Sequence, residues 1–237
     1  MNLKKFNNLL ELFFNQYESQ NENNIFLSSL KNPIIEFSWK DTKTSIVNLS
    51  IEFKKYIKKG DRCLLISENR PEWLITDLAI MLANGISVPA YTTYVERDYE
   101  YIINDCTPTI IIVSNKDQYL KIKNIIKDKS FIKKVFSFEA IEELKKDNYF
   151  EINNFLNKNK ISDLNIPTVH LSRKDPACII YTSGTQGNPK GVILSHGGIL
   201  NNCEGGCELI EPFISKQSRF LTWLPLSHSY EHTVQFI

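Results

Sequence analysis

A chain of 237 residues, 42% hydrophobic and 11% aromatic, carries enough apolar side chain to bury a core in one large or two small domains, which excludes an intrinsically disordered chain. Its 28 basic and 27 acidic residues leave a net charge of +1, so no global field points to nucleic acid or an anionic membrane as partner. Five cysteines, at positions 63, 106, 178, 203 and 207, make an odd number without C-x-x-C spacing, which argues against a disulfide framework or zinc ribbon and fits a reducing cytoplasm.

Phe6, Leu9, Leu10, Phe13, Phe14 and Tyr17 recur at helical spacing and predict an amphipathic first helix packed on the body. Its polar face carries Asn and Glu rather than a basic band, which leaves a peripheral membrane contact open without favouring it. Ile34 to Trp39 reads as a strand, and Ile46, Leu49, Phe53 and Ile57 as a helix with Gly60 as its C-cap candidate. These elements make up residues 1–60.

Over residues 61–175 strand and helix alternate. Cys63-Leu64-Leu65-Ile66 is a strand, after which Asn69 is the cap candidate of a helix with Pro71 in its first turn and Glu72 in the capping-box position. That helix stops at Asn84-Gly85. Ile86 to Tyr91, Thr109 to Val113 and Val135-Phe136 read as further strands, separated by helices through Tyr99–Ile103 and Leu120–Ile126. Short strands alternating with helices imply parallel pairing and right-handed crossovers, so the fold class is α/β with helices on both faces of parallel sheets. The polar stretch from Asn148 to Asp175 reads as a surface connection.

Residues 176–237 hold the densest chemistry. Cys178-Ile179-Ile180 is a strand, followed by Tyr181-Thr182-Ser183-Gly184-Thr185-Gln186-Gly187-Asn188-Pro189-Lys190-Gly191 and a second strand at Val192-Ile193-Leu194. The loop is built to hold phosphate. Gly184 and Gly187 let the backbone approach an anion, Thr182, Ser183, Thr185 and the Gln186 amide can donate to its oxygens, and Lys190 supplies positive charge. Pro189 holds Asn188 in extended geometry and bars an immediate helix. Neither the Walker spacing nor G-x-G-x-x-G is met, and Ser183 lacks the G-x-S-x-G elbow of a nucleophile. Beyond the loop, Ser195-His196-Gly197-Gly198 opens a helix on which Cys203 and Cys207 read as small buried hydrophobes, and Phe220 to Leu224 reads as a strand.

The loop resembles the phosphate-binding signature of the adenylate-forming (AMP-binding) enzymes, Thr-Ser-Gly-Ser/Thr-Thr-Gly-x-Pro-Lys-Gly, at every specified position except Gln186, where the family usually has threonine. Gly60-Asp61-Arg62, Asn69-Arg70-Pro71-Glu72-Trp73, Gly85-Ile86-Ser87-Val88-Pro89 and Leu224-Pro225-Leu226-Ser227-His228 agree in the right order, and together they look most like the long-chain acyl-CoA synthetase branch. The resemblance implies a ligase using ATP, Mg²⁺ and coenzyme A to turn a fatty acid into an acyl-adenylate and then a thioester. It implies that Thr182, Ser183, Gly184, Thr185, Gln186, Gly187 and Lys190 hold the ATP phosphates, with Lys190 and Thr185 supporting catalysis and His228 lining the acyl and adenylate pocket. It also implies that the chain is an incomplete N-terminal AMP-binding domain, inactive alone, because the resembling enzymes are far longer.

Two other readings stand beside it. His228-Ser229-Tyr230-Glu231-His232 satisfies H-x-x-E-H, the pattern of inverted zinc peptidases with two histidine ligands and a glutamate base. Against it, Pro225 suits a strand end and the flanking Leu-Pro-Leu-Ser-His belongs to the ligase pattern, in which His232 is structural or on the surface. A non-catalytic nucleotide-binding module is the remaining alternative.

Overall fold

The computed structural model describes residues 3–30, 33–142, 149–156, 166–182, 189–215 and 218–237. A 3-10 turn at Leu3–Lys5 leads into α1 (Leu9–Ser19), where Asn8 caps the helix by accepting from the Glu11 amide. Phe6, assigned to that helix by its spacing, precedes the cap. Strands β1 (Ile25–Ser28) and β2 (Glu36–Ser38) form an antiparallel pair of their own. β2 stops before Trp39 because Ser38 caps α2 (Trp39–Phe53), exchanging capping-box hydrogen bonds with Asp41, and it starts at Glu36, leaving Ile34 and Ile35 outside the ladder. Gly60 does not cap α2, which ends at Phe53. It takes a φ of +82° in the following turn, a conformation that favours glycine, and its amide donates to the Asn84 carbonyl.

The central sheet then builds up as β3 (Arg62–Ile66), α3 (Pro71–Leu82), β4 (Ile86–Ala90), α4 (Glu96–Cys106), β5 (Ile110–Val113), α5 (Lys116–Ile126) and β6 (Lys134–Ser137). β7 (Tyr149–Glu151) and α6 (Asn153–Leu156) follow within the stretch read as a surface connection. Then come β8 (Pro176–Thr182), β9 (Lys190–Ser195), α7 (His196–Ile210), a 3-10 turn at Glu211–Phe213 and α8 (Ser229–Val234). The strand order is β7-β6-β5-β3-β4-β8-β9, parallel throughout except that β9 runs antiparallel to β8 at the edge. Between β4 and β8 the register reduces to Ser87 opposite Cys178, close to Pro89, which has no N–H to give to a ladder. The strand expected at Phe220 to Leu224 does not form.

Successive side chains of a strand face opposite ways, and here both faces are apolar. Cys63, Leu65, Ile110 and Ile112 enter one core with α1, α2, α3 and α7, whereas Leu64, Ile66, Ile111 and Val113 enter a second with α4 and α5. Every residue of α3 is buried, which explains why its sequence carries no polar stripe. Cys203 and Cys207 lie in the first core.

At the head of α7, His196 is buried and the Leu9 amide donates to its Nδ1 at 3.4 Å, which requires that nitrogen to be unprotonated. Burial pushes the imidazole down to about 4, against the pull of Asp175 and Asp77. A folded value below the ordinary ~6.5 stabilises the fold fully above ~6.5, and the contribution is lost as the pH falls through the folded value. Unfolding free energy should therefore fall between about pH 6.5 and 4, with His196 accounting for up to ~3 kcal/mol, and His196→Asn should lose that part of the slope in urea titrations at stepped pH.

The next residue is confined sterically. A Cβ on Gly197 would lie 2.8 Å from both the Cβ and the carbonyl oxygen of Arg173, whereas on Gly198 the nearest atom would be Ser195 Oγ at 3.4 Å. Gly197→Ala should cost about 1–3 kcal/mol by overpacking. Gly198→Ala should be neutral or stabilising by up to ~1 kcal/mol through helix propensity. Equal effects of the two changes in thermal unfolding would contradict this packing.

Candidate functional site

Because β3, β4, β5 and β8 are parallel, their carboxyl ends, at Ile66, Ala90, Val113 and Thr182, share one edge of the sheet. The connection after β3 crosses through α3 on one face, and that after β4 returns through α4 on the other. Loops that diverge in this way open a crevice, the usual place for a ligand in an open α/β sheet. A cavity of about 230 Å³ lies there, lined by Ser67, Glu68 and Asn69 after β3, by Tyr91, Thr92 and Thr93 after β4, and by Trp223, Pro225 and Ser227.

The last three belong to a stretch with no ladder of its own, whose backbone groups need partners from elsewhere. Asn69 supplies them. Its Nδ2 donates to the carbonyls of Leu224 at 2.6 Å and Thr222 at 3.3 Å, and its Oδ1 accepts from the Leu226 amide at 2.9 Å. The residue expected to cap α3 is thus spent across the fold, and Arg70 takes the cap position without a side-chain bond. Nothing in the spacing of Asn69 signals this, because its partners lie about 155 residues away.

Beside the crevice, Thr182 and Lys190 are paired across the β8–β9 ladder, and both are exposed. They form the neck of the loop and stand side by side, a hydroxyl and an ammonium at one mouth. Ser183, Gly184, Thr185, Gln186 and Gly187 lie outside the described residues. Tyr181, one residue before the neck, is buried and its hydroxyl donates to Asp105 Oδ2 at 2.5 Å. Tyr94, after β4, donates from its hydroxyl to the Tyr181 carbonyl at 3.4 Å, linking the neck to the crevice wall. Burial, with smaller contributions from Tyr91 and Asp98, pushes the Tyr94 phenol up to about 12, so it stays a donor at neutral pH.

His228 closes the wall. It is exposed, and its Nδ1 accepts the Tyr230 amide at 3.2 Å as the cap of α8. His232, one turn on, is fully buried, its Nε2 3.0 Å from Asp77 Oδ2 and its Nδ1 3.8 Å from Cys178 Sγ. Burial works against its protonation, but the Cys178 sulfur and the Asp77 carboxylate outweigh it and hold the imidazole well above the ordinary histidine range. Glu231 is buried beneath the wall, where burial raises its carboxyl while the Leu224 amide and His228 favour the charged form. The zinc arrangement needs both imidazoles on one ion, whereas one is a surface cap and the other is engaged in the core. Among the described residues no group of three His, Cys, Asp or Glu side chains could hold a metal ion.

The model of a family described as AMP-binding enzyme matches residues 15–237. The chain is 34% identical over 170 residues to long-chain-fatty-acid–CoA ligase ACSBG2 of Mus musculus, covering 69% of this chain and 26% of that protein. It is 28% identical over 185 residues to fatty acyl-CoA synthetase A of Dictyostelium discoideum, covering 75% of this chain and 27% of that one. The chain therefore spans about a quarter of the length of these curated relatives. Among solved structures, ATP-bound MatB from Rhodopseudomonas palustris superimposes with a TM-score of 0.73 at 20% identity over 97% of this chain and 42% of that one, a likeness of fold.

If Asn69 holds the wall, Asn69→Ala leaves the Leu226 amide without its acceptor and should cost about 1–3 kcal/mol. Hydrogen exchange at Leu226 should accelerate and trypsin should cut sooner at Arg219, while the amides of β3 keep their protection.

Proposed function

The chain belongs to the AMP-binding enzyme family, and on that premise we propose that its site takes part in activating a carboxylic acid with ATP. The product is an acyl-adenylate, whose acyl group then passes to the thiol of coenzyme A as the acyl–phosphate bond breaks and AMP leaves. The observation that carries this reading is the pairing of Thr182 with Lys190 at the neck of the loop, beside the crevice at the carboxyl ends of β3 and β4. A long-chain fatty acid as substrate, and coenzyme A as acceptor, are supported by the names of the two relatives above. ATP is supported by the family and by the ATP-bound neighbour of the same fold.

In the proposed reaction a carboxylate oxygen attacks the α-phosphorus, and the bond to the β-phosphate oxygen breaks as pyrophosphate leaves. Charge gathers on the departing group, so the protein's task is to hold phosphates and stabilise that charge. Lys190 supplies a cation and Thr182 a hydroxyl donor, with Ser183, Gly184, Thr185, Gln186 and Gly187 assigned the rest of the cradle. These are phosphate holders, with no nucleophile among them. His228 is assigned the acyl and adenylate side, at the end of the wall that Asn69 holds. Mg²⁺ belongs to the proposed reaction as an ion held mainly by the phosphates of ATP with one or two carboxylates, a site for which no cluster of three protein ligands is required, and no step here passes through that ion.

The test is fatty-acid-dependent exchange of labelled pyrophosphate into ATP by the natural protein that carries this chain. Lys190→Ala removes a charge-assisted contact of roughly 1.5–3 kcal/mol and should slow exchange about ten- to 150-fold. Thioester formation from supplied acyl-adenylate should suffer much less, because pyrophosphate has already left. Gln186→Thr puts about 1 kcal/mol at stake and should change exchange by less than about tenfold. Equal damage to both half-reactions by Lys190→Ala, in a folded protein, would remove the loop from the departing phosphates.

A further inference from the structure

Three segments that carry the proposed site meet beneath it at one buried cluster. α3, which starts just after Asn69, contributes Asp77. β8, which runs into the phosphate loop, contributes Cys178. α8, which starts just after His228, contributes His232, and all three residues are fully buried. The imidazole bridges the other two, with Nε2 3.0 Å from Asp77 Oδ2 on one side and Nδ1 3.8 Å from Cys178 Sγ on the other. A carboxylate only accepts, so Nε2 carries the proton that faces Asp77. Trp73 and Phe236 meet the ring edge to face, with centroids 5.6 Å and 5.9 Å away, and leave it little freedom to turn.

Packing alone does not call for such a cluster. Burying a carboxylate and an imidazole is expensive, and apolar residues of similar volume commonly stabilise a core as well or better. α3 is otherwise a largely apolar helix buried on every side, and Asp77 interrupts it. What apolar residues cannot do is fix two neighbours at a set angle, and an imidazole with partners on opposite nitrogens does so. Its leverage on the site is short. The His232 amide donates to the His228 carbonyl at 2.9 Å, one helical turn away, and Cys178 lies four residues before Thr182 on one strand, roughly 13 Å.

We propose that the Asp77–His232–Cys178 bridge sets the separation between the His228 wall and the Thr182–Lys190 neck, with His232 as the positioning residue. The inference rests on the nucleotide reading above for its functional consequence, though not for the bridge itself.

The experiment uses the natural protein that carries this chain, with ¹⁵N-labelled histidine and tryptophan, and titrates ATP by calorimetry. His232→Gln, confirmed as folded by circular dichroism, should shift the His228 ring and Trp223 indole resonances and weaken ATP binding by at least about tenfold. Cys178→Ser, a one-atom change, should shift the same resonances by less. Lys190→Ala should weaken ATP binding yet leave the His228 and Trp223 resonances in place. Unmoved resonances and unchanged affinity in folded His232→Gln would overturn the proposal, as would loss of folding in both His232→Gln and Cys178→Ser, which would make the cluster a stability element only. If the unsubstituted protein fails to bind ATP, that counts against the nucleotide reading, and the His228 and Trp223 resonances still decide the bridge.

Discussion

The site depends on how an irregular stretch of backbone is kept in place. Residues 218–228 form no ladder and no helix, and apart from the His228 amide, which donates to the Pro225 carbonyl, their amides and carbonyls depend on partners from outside the stretch. Asn69 supplies three hydrogen bonds from a single side chain, and it can do so because β3 delivers it to the carboxyl edge of the sheet. An amide suits this task better than a carboxylate or a hydroxyl, since it offers a double donor and an acceptor in one plane. That contact ties the stretch carrying Trp223, Pro225 and Ser227 to the loop after β3 on the opposite side of the cavity.

The sheet makes the position available. Both of its faces are covered by helices, so its edge of strand ends is where polar backbone and loop side chains gather. The divergence of α3 and α4 to opposite faces opens the crevice, and the antiparallel return of β9 along β8 keeps Thr182 opposite Lys190. A helix after the loop would have carried Lys190 away from Thr182. Pro189 and the β-branched run that follows favour the strand instead.

Much of this was legible in the chain itself. The apolar runs at Cys63–Ile66 and Thr109–Val113, with helical periods between them, announce a parallel sheet, because only strands buried on both faces read as continuous apolar segments. The phosphate role proposed for the loop after β8 comes from residue types whose chemistry suits one task. Long-range pairings were not legible. Asn69 looks like a helix cap because capping and wall-holding ask for the same side chain, and only the fold decides between them. His232 falls in a motif that resembles a metal pair, yet its partners Asp77 and Cys178 come from two other elements. β1 and β7 were not among the strands read from the sequence. Phe220 to Leu224 has strand composition, but composition does not provide a neighbour to pair with.

The central claim is that the neck between β8 and β9 faces the phosphates of ATP. Its most direct test is affinity labelling of the chain with an ATP analogue bearing an amine-reactive aldehyde at the terminal phosphate, followed by reduction and peptide mapping. The label should be found on Lys190, and ATP should protect this residue against it. Labelling spread over the surface lysines of α5, with no protection of Lys190 by ATP, would contradict it.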